Sequence, residues 1–220
     1  MAAVDEAMEI GRRAGLPVHV SHFKSSGRDS WGLVRRAAEM IAKARKKGQK
    51  VTADQYPYIA SSTSLDATVI PTWARAGGRK ELIRRLDDKE IGLKLRTAIA
   101  ENLSRKENGQ VLKIARYAPR PDWVGQSVAE IAESEKLTTV EVAVEVARSG
   151  GAAIVNFSMS EEDVRHIMQV PWVATASDGR AYLPGADRPR PQQRNQRQGA
   201  VADRGFEFAR LAQRAHLPVA

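Results

Sequence analysis

The run Val18-His19-Val20-Ser21-His22-Phe23-Lys24 places two imidazoles and an amine on one short stretch rich in β-branched residues. Pro17 stops the helix-like segment before it and Ser25-Ser26-Gly27 closes it, so the spacing predicts a strand over 18–24. Side chains two apart on a strand share a face, which puts Val18, Val20, His22 and Lys24 on one side and His19, Ser21 and Phe23 on the other. One face then offers a potential metal ligand beside a cation. Neutral imidazole is a common zinc ligand, and a lysine two residues on can hold a carboxylate near such a metal. The same spacing suits hydrogen-bonded histidines in a half-buried strand, so the residues alone leave both readings open. With His19 and His22 on opposite faces, only one of them can serve a single site.

Outward from this run the chain alternates helix and strand. Residues 3–14 carry Val4, Ala7, Met8 and Ile10 on a helical stripe, with acids early and arginines late, and Gly15 closes the helix. Asp29 or Ser30 can cap a second helix reaching Lys47, with Leu33, Val34, Ala37, Met40, Ile41 and Ala44 on one face and Gly48 as its stop. Lys50–Tyr56 reads as the next strand. Helix, strand, helix, strand with short Gly-bearing joints is the repeat of an α/β protein with a parallel sheet, in which ligands bind at the strand ends, here near Lys24 and Tyr56.

Residues 65–150 break that rhythm. They read as a loop with Pro71, a polar helix near 79–107, a strand at Val111–Tyr117, a Pro-rich turn at 119–121 and a helix from Ser127 to Arg148. That length exceeds an ordinary crossover and predicts an inserted, lid-like subdomain. The repeat resumes with a strand at Ala152–Phe157, a helix capped at Ser160 and running to Met168, and a strand at Val173–Ala176. The expected organisation is therefore βα units over 1–64, the insertion over 65–150, final βα units over 151–187 and a divergent Arg/Gln-rich tail over 188–220. Asp178, at a strand end before Gly179, occupies the place where a parallel barrel carries a catalytic carboxylate, and equally a place where aspartate caps a turn.

The chain has 220 residues, 42% of them hydrophobic, and no apolar run near the roughly 20 residues of a membrane span. Its N-terminal residues lack the basic-then-apolar order of a signal peptide, and the absence of cysteine excludes disulfides and thiolate ligands, which fits the cytoplasm. The net charge of +9 is concentrated: residues 188–220 hold seven arginines, no lysine and two acids, more than half of the excess. With 5% aromatic residues and none interleaved with a basic cluster, the composition argues against nucleic acid as a partner.

Four motifs occur in one order: Ser21-His22-Phe23-Lys24, Asp54-Gln55-Tyr56-Pro57-Tyr58, Phe157-Ser158-Met159-Ser160-Glu161-Glu162-Asp163-Val164 and Ser177-Asp178-Gly179. Together they resemble the D-aminoacylase, or N-acyl-D-amino-acid deacylase, family of the amidohydrolase superfamily, over residues 3 to about 189. The resemblance implies a partial (β/α)8 TIM-type barrel of the metal-dependent hydrolase kind, its C-terminal half, with an inserted subdomain. It implies zinc as cofactor and an N-acyl-D-amino acid as substrate, hydrolysed at its amide. His22 then matches the metal-ligand histidine of the sixth strand, and Asp178 the aspartate that moves a proton from metal-activated water to the leaving amine. Lys24, Tyr56 and Ser62 match positions that hold the substrate carboxylate.

The departures matter equally. The family's His-x-His, cysteine ligand and fifth-strand histidine have no counterpart here and are expected upstream of residue 1, so the zinc site is incomplete and the chain is expected to be inactive alone. The partners expected besides substrate are a missing N-terminal half or a second copy of the chain. Gln192 stands where the family has an arginine that clamps the substrate, and Arg190 where it has a histidine, which removes a bidentate contact. The tail diverges in the middle of that motif, as a shifted reading frame would make it. The competing readings are a non-enzymatic barrel remnant serving as a binding module, and a cyclic-amide hydrolase or dipeptidase on the same barrel.

Overall fold

A computed structural model describes residues 1–177. In chain order the first elements are α1 (Ala2–Ala14), β1 (Val18–Val20), α2 (Leu33–Lys46), β2 (Val51–Gln55) and β3 (Ala60–Ser64). There follow α3 (Leu65–Val69), α4 (Thr72–Arg75), α5 (Gly78–Asp87), α6 (Lys89–Ser104), β4 (Leu112–Arg116), α7 (Val128–Glu135) and α8 (Thr139–Arg148). The last are β5 (Ala153–Phe157), α9 (Glu161–Met168) and β6 (Val173–Thr175). The chain is α/β, and its described residues divide into two compact units, Met1–Ile59 with residues 159–177, and Ala60–Ser158.

The first unit is built on a parallel sheet in the order β1-β2-β6, with Val18, His19 and Val20 opposite Val51, Thr52 and Ala53. Alternation sorts its two faces. Val18, Val20, Val51 and Ala53 pack with Met8 of α1, Val34, Ala37, Ala38 and Ile41 of α2 and Ile167 of α9, while His19, Thr52 and Asp54 belong to the opposite, polar face. Gly11 lets α1 lie close on β1, since a Cβ there would sit 2.2 Å from Val18 Cγ2. Gly15, at φ 65°, ends the helix in the left-handed cap that the sequence predicts.

Two local expectations are corrected here. The strand does not run to Lys24: it ends at Val20, and Ser21-His22 form a turn with His22 at φ 56°. Nor does Asp29 or Ser30 cap α2. Arg28–Ser30 is a 3-10 turn, Gly32 is the N-cap, and its N–H donates to the Asp163 carboxylate at 2.6 Å from the far end of the sequence. Asp163 is almost fully buried and also accepts from Arg35 Nε at 2.9 Å, while Ser160 caps α9 as expected.

The second unit carries an antiparallel sheet, β3-β5-β4, with β5 in the centre. Ala152–Phe157 is thus a strand, but it is not the parallel neighbour of β1, β2 and β6 that the repeat predicts. Its partner β3 is Ala-Ser-Ser-Thr-Ser, a run of small hydroxyl residues with no apolar alternation and hence no strand signal of its own. The helix expected near 79–107 is broken at Asp88, whose carboxylate accepts the N–H groups of Glu90 and Ile91 and starts α6. That expected from Ser127 to Arg148 is broken at left-handed Lys136, and α7 and α8 each begin with a complete capping box, Ser127 with Glu130 and Thr138 with Glu141. Ile154, Leu112, Ile114, Leu95, Ile99, Trp123 and Ile131 are among the buried side chains that form this unit's own core.

Candidate functional site

The candidate residues of the first unit gather beyond the C-terminal ends of β1 and β2. Asp54, one residue before the end of β2, is the anchor. Its Oδ2 meets His19 Nε2 at 2.7 Å and accepts the Ser21 hydroxyl at 3.1 Å, its Oδ1 accepts the His22 backbone N–H at 3.0 Å, and its carbonyl accepts the Phe23 N–H at 2.7 Å. The other ring nitrogen of His19, Nδ1, lies 2.8 Å from the Thr52 hydroxyl directly across the register. The His22 N–H first, and then the His19 imidazole, hold the Asp54 carboxyl below the usual carboxylate range.

Left-handed His22 reverses the alternation expected for the run. Phe23 enters the helix-packed core with Val18 and Val20, 6.2 Å from the Trp172 ring, and His22 is left exposed. The His22 ring lies 6.1 Å from that of Tyr56. Lys24 Nζ donates to the His22 carbonyl at 3.3 Å and stands 4.8 Å from the Tyr56 ring centroid. Tyr56 is itself buried against Met159 and Val164 and stacked at 4.6 Å on Tyr58, whose hydroxyl donates to the Ser177 carbonyl. His22, Lys24 and Ser25 also line a cavity of ≈ 230 Å³ together with Val4 of α1 and Val34 and Ala37 of α2.

His22, Lys24 and Tyr56 are therefore brought together. Ser62 lies on β3 in the second unit, exposed and opposite Val155. Asp178, Arg190 and Gln192 lie outside the described residues. The Asp54–His19–Ser21 cluster is the part that sequence reasoning missed; the signal was His19 and Asp54 falling on one face once β1 and β2 are set in register. Among the described residues no three His, Asp or Glu side chains form a metal-binding group, and His19 and Asp54 are bonded to each other. These residues by themselves do not fit zinc, which needs three or four protein ligands.

No protein-family model matches the chain. It is 31% identical over 191 residues to an N-acyl-D-glutamate deacylase of Alcaligenes xylosoxydans xylosoxydans, a match that covers 87% of this chain and 30% of that protein. The chain is similar to the D-aminoacylases as well. A D-aminoacylase of the same organism matches at 26% over 199 residues, again across 87% of this chain and 31% of its own length. The solved N-acyl-D-glutamate deacylase of Bordetella bronchiseptica, complexed with zinc and a phosphonate mimic of the tetrahedral intermediate, superposes with a TM-score of 0.57. It is 29% identical and is matched over 81% of this chain and 29% of its own. A solved D-aminoacylase gives a TM-score of 0.54 at 25% identity, covering 81% of this chain and 29% of its own. The chain thus spans about 30% of the length of the curated proteins it matches, and its α/β fold is like that of the solved D-aminoacylases.

Proposed function

We propose that this chain supplies the carboxylate-recognising side of an amidohydrolase site for N-acyl-D-amino acids, built on part of a (β/α)8 barrel with residues 65–150 as an elaborating insertion. The observation that carries the reading is the convergence of Lys24 on Tyr56 beside His22, at the sheet end where α/β proteins bind ligands. Lys24 presents an ammonium next to a buried aromatic wall, a setting that favours a carboxylate with an apolar neighbour over a hydrated ion. Tyr56 positions that lysine, and Ser62 of the second unit matches a further substrate-holding position of the family. His22 occupies the position of one metal ligand, and Asp178 is the proton-transferring carboxylate. Because the described donors do not fit zinc, no hydrolytic step is assigned to the chain by itself, and turnover requires ligands beyond them.

Titration of the isotopically labelled chain with N-acetyl-D-glutamate tests the reading. Amide and side-chain signals of His22, Lys24 and Tyr56 are expected to shift, more for the D than the L isomer, and Lys24→Ala should abolish the response. Equal, unsaturable shifts for both isomers would sink it. The zinc statement is checked separately by equilibrium dialysis: tight stoichiometric zinc together with hydrolysis of the same compound by the purified chain would overturn it.

A further inference from the structure

We infer that Asp54 is a positioning residue: it imposes the left-handed turn at His22 and thereby decides that Phe23 enters the core while His22, with Lys24 bonded to its carbonyl, stays at the sheet end. The inference deepens the proposed site and rests on that reading only for its functional meaning. Strict alternation from Val18 and Val20 would send His22 and Lys24 to the face that packs on α1 and α2, and Phe23 to the face of His19. Phe23 is instead in the core and His22 is exposed. One left-handed residue accomplishes this switch, at a conformation that a side chain bearing Cβ adopts only when its surroundings enforce it.

Those surroundings converge on one residue. Ser21 through its hydroxyl, His22 through its N–H and Phe23 through its N–H all donate to Asp54, so three consecutive residues are tied to a single point of β2. His19, itself braced by Thr52, completes the coordination of the carboxylate from β1. The Asp54 side chain is only 18% exposed, although the partners Ser21 and His22 lie at the surface. Histidine tolerates the left-handed region better than most residues, but the β-branched and aromatic members of the run prefer to remain extended. The instruction comes from the neighbouring strand.

The test uses the full labelled chain and reads geometry, so it does not depend on any ligand. The wild-type chain should show His22 carbon shifts diagnostic of positive φ and proton contacts between Lys24 and the Tyr56 ring. Asp54→Asn keeps an oxygen acceptor for the His22 N–H and should retain both signals. Asp54→Ala should lose both, with the α7 and α8 signals of the second unit unchanged as evidence of folding. The double variant D54A/H22G decides the matter even if D54A destabilises the first unit, because glycine adopts the left-handed turn unaided. It should recover the Lys24–Tyr56 contacts and the burial of Phe23. Persistence of the positive-φ signature in D54A, or failure of H22G to rescue, would overturn the inference. A chain that passes this test yet ignores N-acetyl-D-glutamate would count against the proposed function alone.

Discussion

Replacing Asp163 with alanine should loosen helix α2 more than any surface change in the first unit. The carboxylate is 6% exposed and accepts two bonds from α2, the Gly32 N–H at 2.6 Å and Arg35 Nε at 2.9 Å. Charge-assisted bonds contribute about 1.5–3 kcal/mol each, and breaking a fully buried pair costs about 3–5 kcal/mol. Arg35 is 34% exposed and recovers part of its hydration, so we discount to about 2–4 kcal/mol. Arg35 also meets Glu162 at 2.8 Å, but that carboxylate is 80% exposed and Glu162→Gln should cost less than about 0.5 kcal/mol. Native-state hydrogen exchange measures the effect on the affected helix. Protection of the Leu33–Lys46 amides should fall roughly 30- to 700-fold in D163A, at about 1.4 kcal/mol per tenfold. Asp163→Asn, which keeps an acceptor for Gly32, should lose clearly less. A fall in α2 protection below threefold, or an equal fall in α8 of the other unit, would refute the reasoning.

Gly11→Ala should destabilise the first unit by about 1–2 kcal/mol in urea, because the clash with Val18 and the Leu16 carbonyl exceeds the helix-propensity gain; unchanged stability would show that α1 can shift. Glu130 is held below the usual carboxylate range by the Ser127 N–H and then by the Ser127 hydroxyl. A carboxyl whose folded value is depressed stabilises the fold above its unfolded value and loses that contribution as pH falls through the folded one, so exchange protection at the start of α7 should decline below about pH 4.5. Glu130→Gln should remove that pH dependence, and an identical profile in the variant would contradict the assignment. The parallel sheet has β1 and β6 at its edges among the described residues, so the apparent mass by light scattering should rise with protein concentration, whereas a constant monomer mass would show the edges to be protected.

The elements that could be read from sequence were those with a local cause. The stripe of Val4, Ala7 and Met8 gave α1, Gly15 its end, Ser160 the start of α9, and Val51–Gln55 a strand in register beside Val18–Val20. What escaped has its cause elsewhere in the chain. The start of α2 is set by Asp163, 131 positions away, and the end of β1 by Asp54, 32 positions from His22. β3 escaped because its stabilisation comes from pairing with β5, and no alternation in Ala-Ser-Ser-Thr-Ser advertises it. His22, Lys24 and Tyr56 were identified as one group through the order of motifs, although the facing argument that first joined His22 to Lys24 assumed a straight strand that the turn at His22 replaces.

Recognition and bond cleavage make different demands on a chain of this kind. Holding a carboxylate needs one well-placed ammonium and a wall that excludes water, and the proposed site assigns that task to Lys24 beside buried Tyr56, within a single unit. Cleaving an amide needs an activated nucleophile and stabilisation of the oxyanion, which zinc provides only when three or more ligands converge. Among the described residues no three His, Asp or Glu side chains converge for the second requirement, and the proposed function assigns them only the first. The two activities should therefore separate in experiment: stereoselective binding that depends on Lys24 can persist where turnover is absent, and Asp54, which orders the lysine without touching the ligand, should control the first without restoring the second.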